Sequence, residues 1–300
     1  MTTEPPKDKE LSSLDEMFSA SRLYRSSREY MVLLRFIGKL RKYAPFNCLL
    51  LHCQNPDVTY VASVSDWAFR FRRRPKRNAR PLVILQPFGP VLFVLDIQDT
   101  EGEPVPESVL NPFHTQGKLP KTVFEKTIHN CGVHDIDVRG DLQGLHKAGR
   151  AIRLNQDARW RYQDLSLSPE SSYLVLLNLN HTLEGKYATL AHELAHIFCG
   201  HLGTDKLAWW EGNADVPRGI AEIEAESVAY LVCARQGLVA SSERYLSAYR
   251  TPDDIELPSF GLNAVLQAVD YVEKMGESKW KEPKKKLKSN PKLPVKGSKS

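Results

Sequence analysis

The segment LAHELAH, from Leu190 to His196, contains two histidines four residues apart, with a glutamate directly after the first. In a helix, this spacing places His192 and His196 one turn apart on the same face. Two neutral imidazoles in that arrangement can bind one Zn²⁺, and Glu193 can then act as a general base toward a water molecule. The segment therefore predicts a zinc site with hydrolytic chemistry, with Glu193 as its catalytic residue.

A hydrolytic zinc site usually has three protein ligands and one open position. His201 is the candidate nearest in sequence, but it follows the expected end of the helix. We interpret it as a surface residue or as one that supports a ligand. The better candidates lie on a second expected helix over residues 219–233.

On this second helix, Glu222 and Glu226 are roughly 40° apart around the axis, so they share a face. The pattern predicts Glu222 as the third metal ligand and Glu226 as an acceptor that orients a ligand histidine. Glu224 is roughly 160° from Glu222 and is expected to face solvent or a partner. The alternative is an ordinary charged helix, but the apolar character of its other residues favours burial of some acids, which then need a metal, a cation or hydrogen bonds.

The surrounding elements are consistent with this placement. Residues 172–180 form a short apolar run typical of a buried strand. Residues 183–199 have apolar positions at helical spacing, with Thr182 as a possible cap and Gly200 as a natural stop. The histidine motif is therefore expected on a helix that follows a strand.

Two stretches taken together, LAHELAHIFCGH and AEIEAESVAYLVC, resemble the ImmA/IrrE family of metallo-endopeptidases over roughly residues 130–275. Glu222, Ala225 and Glu226 match the E-x-x-A-[N/D/E] pattern of that family. The resemblance implies a zincin-like fold and zinc-dependent hydrolysis of peptide bonds. It also implies a cytoplasmic protein substrate, such as a DNA-binding transcriptional repressor.

A dense basic run lies in the first third of the chain and has aromatic residues interleaved with it. Its cations are Arg70, Arg72, Arg73, Arg74, Lys76, Arg77 and Arg80, and its aromatic residues are Trp67, Phe69 and Phe71. Cations that follow phosphates and aromatic rings that stack on bases are the usual means of binding single strands. The alternative is that the aromatic rings pack inward and the cations are only solvated.

The stretch APFNCLLLHCQNPDVTYVASVSDW and the basic run that follows it are similar to the N-terminal domain of ArdC-type antirestriction proteins. Those domains bind single-stranded DNA. The resemblance implies a small α+β domain that binds single-stranded DNA, and the candidate contacts are Trp67, Arg70, Arg72, Arg73, Arg74, Lys76 and Arg77.

Composition sets the limits of the interpretation. The 300 residues carry a net charge of +5, but residues 277–300 contain nine lysines and two glutamates, so the rest of the chain is at about −2. The five cysteines form no C-x-x-C pair, and no apolar run is long enough for a membrane span or a signal core. We therefore expect a cytoplasmic protein with reduced thiols and no membrane partner.

The expected class is α+β, because strands and helices do not alternate regularly. The predicted organisation is a flexible leader over residues 1–18, an ArdC-like domain over 19–121, a metallopeptidase domain over 122–276 and a disordered lysine-rich tail over 277–300. The main hypothesis is a zinc endopeptidase. One alternative is a nucleic-acid-binding antirestriction-like factor with an auxiliary metal site, and another is an accessory protein that binds a partner without cutting it.

Overall fold

The computed structural model describes residues 27–86, 91–105, 117–141, 149–204, 208–238 and 258–280. The predicted leader and most of the predicted tail lie outside these residues. The helices are α1 (Ser27–Lys39), α2 (Pro45–Gln54), α3 (Val64–Phe71), α4 (Lys121–Val133), α5 (Gln156–Arg161), α6 (Leu183–Phe198), α7 (Arg218–Arg235) and α8 (Leu262–Glu277). The strands are β1 (Val61–Ala62), β2 (Arg73–Pro75), β3 (Leu82–Ile84), β4 (Leu92–Asp96), β5 (Thr100–Gly102), β6 (Ile136–Asp141), β7 (Gly149–Arg153) and β8 (Tyr173–Asn178).

The described strands form three small sheets. In the first, β4 lies between β1 and β3 and is antiparallel to both, while β2 and β5 form a separate antiparallel pair. In the third sheet, β8 is the central strand, parallel to β6 and antiparallel to β7. All six residues of β8 are buried, as the apolar run predicts, because helices and the neighbouring strands enclose this strand. The mixture of separate sheets and helices confirms the predicted α+β class.

One hydrophobic core extends through most of the described chain. It includes Leu33 and Ile37 of α1, Leu194 of α6, Val228 of α7 and Val269 of α8. Elements on both sides of the predicted boundary after residue 121 therefore contribute to the same core. A second, smaller cluster consists of Ala62, Trp67, Phe71 and Leu95, where α3 covers β1 and β4.

The two helices that carry the predicted metal ligands form where the apolar spacing indicates. The Thr182 side chain accepts a hydrogen bond from the N–H of Gly185 at 3.2 Å, which caps the start of α6. Helix α7 is longer than its predicted 15 residues by one residue at its N-terminal end and two at its C-terminal end. None of the described helices has the length and apolar character needed to cross a membrane.

Candidate metal centre

The candidate centre lies where α6 and α7 pack against each other. Three side-chain atoms form a compact triangle: Nε2 of His192 and Nε2 of His196 are 3.2 Å apart, and Oε2 of Glu222 is 3.5 Å from the first and 3.8 Å from the second. Tetrahedral ligands at about 2.1 Å from a Zn²⁺ ion are separated by about 3.4 Å. The residues present therefore fit a metal ion without rearrangement, and these three are one of two potential ligand groups among the described residues.

The catalytic candidate Glu193 is buried beside this triangle, against strand β7. Its carboxylate accepts a hydrogen bond from the backbone N–H of Ala151. Burial raises the pKa of Glu193, and the charge on His192 and this hydrogen bond offset only part of that effect. A carboxylate with a raised pKa is better suited to take up a proton at neutral pH than an ordinary glutamate.

Close packing explains why Glu193 lies so near the strand. A Cβ atom on Gly149 would approach Thr189 Cγ2 to 2.5 Å and the Leu176 carbonyl oxygen to 2.7 Å, and it would lie 3.6 Å from Glu193 Cγ. Only a residue without a side chain lets β7 approach α6 this closely. Gly149 and Ala151 were not predicted as site residues, because neither belongs to a motif that is recognisable in the sequence without the fold.

Each candidate ligand histidine contacts a further group through its second ring nitrogen. Nδ1 of His192 is 3.3 Å from Oε1 of Glu226, which places Glu226 where the sequence predicted an orienting acceptor. Nδ1 of His196 is 2.9 Å from Nδ1 of His201, and Nε2 of His201 is 2.7 Å from Oε2 of Glu224. Both candidate ligand histidines are thus connected to a carboxylate, His192 directly and His196 through His201.

The prediction that Glu224 faces solvent or a partner is wrong. Its side chain is buried, bonded to His201 on one oxygen and to the N–H of Gly261 on the other. Helix α7 is enclosed on nearly all sides, so an acid on the far side from Glu222 also lies in the interior. Apolar residues occur on all sides of this helix in the sequence, and this pattern could have indicated that Glu224 is buried. The His201 side chain is likewise buried rather than on the surface. It contacts the candidate ligand His196, which fits the second role considered for His201.

Electrostatics at the centre favour an additional positive charge. Burial alone would lower the pKa of His192, but hydrogen bonds to Glu222 and Glu226 raise it to about 10. Burial and the neighbouring His192 and His201 charges lower the pKa of His196, whereas the hydrogen bond to His192 lowers the pKa of Glu222. The carboxylates thus favour positive charge at this place.

The basic run has a different structure from the one its sequence suggests. Trp67 is fully buried, and its indole N–H donates to the carbonyl oxygen of Leu95 at 2.9 Å. The ring therefore cannot stack on a base, and the prediction of Trp67 as a nucleic-acid contact is wrong. The interleaving of aromatic residues reflects the amphipathic helix α3, since Phe71 is also buried while Phe69 is 87% exposed.

The fold also brings acids to several of these cations. Arg70 lies 3.9 Å from Asp66, Arg72 lies 3.3 Å from Glu103, and Arg74 lies 3.0 Å from Glu101. The guanidinium of Arg73 binds Thr100 and the carbonyl oxygen of Glu103, which joins β2 to β5. Lys76, Arg77 and Arg80 are exposed. Acids from outside the run therefore offset part of its positive charge in the folded chain.

No protein-family model matches the chain, and the comparison with curated proteins found no match. Among solved structures, the chain is similar to the crystal structure of antirestriction ArdC protein from plasmid R388 with bound Mn(II), with a TM-score of 0.37 and 16% identity over 82% of this chain and 93% of that chain. The metal-free structure of the same protein has a TM-score of 0.33 and 15% identity over 82% and 94% of the two chains.

Proposed function

We propose that this protein is a divalent-metal-dependent endopeptidase whose metal is held by His192, His196 and Glu222. The observation that carries the proposal is the triangle of three ligand atoms at metal-ligand spacing beside the buried Glu193. Two imidazoles and one carboxylate are a donor set typical of catalytic zinc. When bound, the cation supplies a Lewis acid that polarises a carbonyl group and promotes the ionisation of water.

Glu193 moves the proton in this reaction. Its carboxylate takes a proton from the water molecule that attacks the peptide carbonyl and then passes this proton to the leaving amine. The hydrogen bond from Ala151 holds the carboxylate beside β7 without supplying a full counter-charge. Glu226 orients His192 through the contact at Nδ1, so that Nε2 of this ring faces the other ligands.

The position of β7 supports a peptide as the substrate. In the described part of the chain, β7 pairs with β8 on one side and has no strand on the other. An extended peptide can add to such an edge by backbone hydrogen bonds. Because β7 contacts Glu193, a segment that pairs with it lies near the metal ligands. We therefore propose that the substrate is an extended segment of a protein. A transcriptional repressor, which the family resemblance implies, is one protein of this kind.

The test combines metal analysis with peptide cleavage. We expect the purified protein to bind about one Zn²⁺ per chain, and Glu222→Ala to lose it. Loaded with Zn²⁺ or Mn²⁺, the parent should cleave members of a mixed peptide library, whereas Glu193→Gln should retain the metal and lose at least about 10²-fold in rate. Glu125→Gln, an exposed glutamate on α4, is the matched control.

The proposal is contradicted if the metal-loaded parent cleaves no faster than Glu193→Gln on any peptide of the library. Cleavage that persists after Glu222→Ala, with metal still bound, would instead contradict the assignment of the third ligand. The control variant separates both results from a general effect of removing a carboxylate.

Binding of single-stranded DNA is a second candidate function, favoured by one specific observation. The ring of Phe69 is 87% exposed on α3, and exposed cations lie in the same part of the chain, among them Arg70, Lys76 and Arg77. An exposed aromatic ring beside cations is the arrangement that holds single strands through stacking and phosphate contacts. This surface lacks Trp67, and its charge is reduced by Glu101 and Glu103.

Fluorescence anisotropy with a labelled thymidine oligonucleotide tests this candidate. We expect binding that weakens as salt rises, and that weakens about 10-fold in Phe69→Ala, since stacking on one base contributes about 1–3 kcal/mol. Val64→Ala, another exposed apolar residue on α3, serves as the control. Equal affinities for Phe69→Ala and the parent would rule out this surface as the binding site.

A further inference from the structure

A continuous line of hydrogen bonds leads away from the candidate metal centre into the interior. It runs from Nδ1 of His196 to Nδ1 of His201 at 2.9 Å, then from Nε2 of His201 to Oε2 of Glu224 at 2.7 Å. The second oxygen of Glu224, Oε1, accepts the backbone N–H of Gly261 at 2.6 Å. Gly261 directly precedes α8, so this line links α6, α7 and α8.

The atom of His196 that binds the metal determines which residue is the donor in each of these hydrogen bonds. Nε2 of His196 faces His192 and Glu222, so a metal ion there needs the lone pair of this atom. The ring proton of neutral His196 is then on Nδ1 and is donated to His201. His201 accepts on Nδ1, carries its own proton on Nε2 and donates it to Glu224.

Burial favours this direction of the hydrogen bonds, from His196 to His201 to Glu224. The side chains of His201 and Glu224 are only 4% and 2% exposed, so water cannot replace a missing partner. A buried carboxylate without donors is costly, and Glu224 has one donor on each oxygen. A second metal ion among Cys199, His201 and Glu224 is a poorer explanation, because 2.7 Å between two ligand atoms is shorter than the separation of about 3.4 Å in a tetrahedral site.

We propose that His201 and Glu224 are positioning residues that hold His196 in its metal-binding tautomer and thereby set the metal affinity of the centre. This inference rests on the proposed function for the identity of the metal ligands, but it concerns residues that touch neither metal nor substrate. It also means that the two ligand histidines are supported unequally: His192 by Glu226 directly, and His196 by a pair of buried side chains.

Glu224→Gln is the informative variant, because it keeps the shape of the side chain and reverses the direction of both hydrogen bonds of His201. With its oxygen on the N–H of Gly261, glutamine presents an NH₂ group to Nε2 of His201. His201 must then carry its proton on Nδ1, where it meets Nδ1 of His196. His196 in turn must carry its proton on Nε2, the atom that is needed for the metal.

The experiment uses the full chain and two measurements that involve no peptide. Imidazole ¹⁵N chemical shifts of the metal-free protein report the tautomer of each histidine, and competition with a chelator gives the dissociation constant for Zn²⁺. We expect His196 with its proton on Nδ1 in the parent and on Nε2 in Glu224→Gln. We expect a 10- to 100-fold weaker affinity for Zn²⁺ in the variant, about the usual effect of removing a partner of a ligand histidine.

Ser227→Ala is the matched control, because Ser227 lies on the same helix and is buried, and it bonds to Tyr30 rather than to the metal site. It should lose stability without a change of tautomer or of Zn²⁺ affinity.

The proposal is overturned if His201 of the parent carries its proton on Nδ1, a result that requires no variant to fold. It is also overturned if Glu224→Gln binds Zn²⁺ within about threefold of the parent. A parent with the expected tautomers and Zn²⁺ affinity that cleaves no peptide would contradict the endopeptidase proposal alone.

Discussion

At the scale of single residues, four glutamates close to one another on α6 and α7 have different partners. Glu222 contacts both His192 and His196, Glu226 contacts His192, and Glu224 is buried against His201. Glu193 is held by a backbone N–H instead of a cation, and burial raises its pKa. Identical side chains therefore suit different roles in the proposed centre, as metal ligand, orienting acceptor or proton acceptor, because their surroundings differ.

Histidines outside the centre should make the stability of the fold depend on pH. Nε2 of His134 is 2.9 Å from the hydroxyl of Tyr271, and the ring packs against Phe198 and Trp280. Burial lowers the pKa of His134 below the ordinary value near 6.5. The unfolded chain therefore binds a proton at a higher pH than the folded chain does, so the free energy of unfolding should decrease as pH falls from about 7 to 5.

His134→Gln tests this dependence, since an amide oxygen can still accept a hydrogen bond from Tyr271 but does not titrate. In excess chelator, urea denaturation should show a smaller decrease between pH 7 and 5 for the variant than for the parent. The difference between the two proteins removes the contribution of His52, whose pKa burial also lowers. Parallel curves for parent and variant would show that His134 titrates normally in the fold.

At the scale of elements, the close approach of β7 and α6 depends on Gly149. We expect Gly149→Ala to lower the free energy of unfolding by about 1–3 kcal/mol, the usual effect of overpacking, because the added Cβ meets a backbone oxygen that cannot rotate away. The displaced strand should also withdraw Ala151 from Glu193, so peptide cleavage should decrease more than Zn²⁺ affinity.

Gly132→Ala is the control for this change, because a Cβ on Gly132 in helix α4 meets no atom within 4 Å. This variant should be more stable than the parent by about 0.5–1 kcal/mol, since alanine loses less conformational freedom in a helix than glycine does. Urea denaturation of both variants checks the predicted loss of stability in Gly149→Ala and the predicted gain in Gly132→Ala. Equal stability of Gly149→Ala and the parent would show that β7 can shift without cost.

The elements also show how far sequence reasoning extends. Periodicity and caps predict β8, α6 and α7, because the motif, the Thr182 cap and the apolar spacing are local signals. The same reasoning places Glu222 and Glu226 on one face, as the structure has them. It does not reveal β7 or the burial of Glu224. Both depend on contacts between elements that are distant in the sequence, which patterns of neighbouring residues do not specify. Trp67 was misassigned for the same reason: alternation on a helix beside a sheet resembles a stacking surface.

At the scale of the whole molecule, one arginine connects the beginning, middle and end of the described chain. Arg235, at the end of α7, donates to Oε1 of Glu273 on α8 at 2.7 Å and to the carbonyl oxygens of Ile37 at 3.0 Å and Tyr43 at 2.9 Å. Its guanidinium thus satisfies acceptors at the end of α1, and its side chain is 3% exposed. The helix that carries Glu222 is thereby fixed to the N-terminal part of the chain.

Replacement of Arg235 should therefore destabilise the whole fold. We expect Arg235→Met to lower the free energy of unfolding by about 3–5 kcal/mol, because Glu273 is left as a buried charge without its partner. Burial already raises the pKa of Glu273, and Arg235 offsets only part of this effect. The double variant Arg235→Met/Glu273→Met should recover part of the loss, but not all of it, because the carbonyl groups of Ile37 and Tyr43 still lack their donor.

Urea denaturation in excess chelator checks these values, with Arg161→Met on the exposed helix α5 as a control that should change stability by less than about 0.5 kcal/mol. Because one core joins both parts of the chain, tryptophan fluorescence and circular dichroism should follow a single coincident transition in the parent. Two separate transitions, with only one of them shifted by Arg235→Met, would show instead that the N-terminal elements unfold independently of the candidate metal centre.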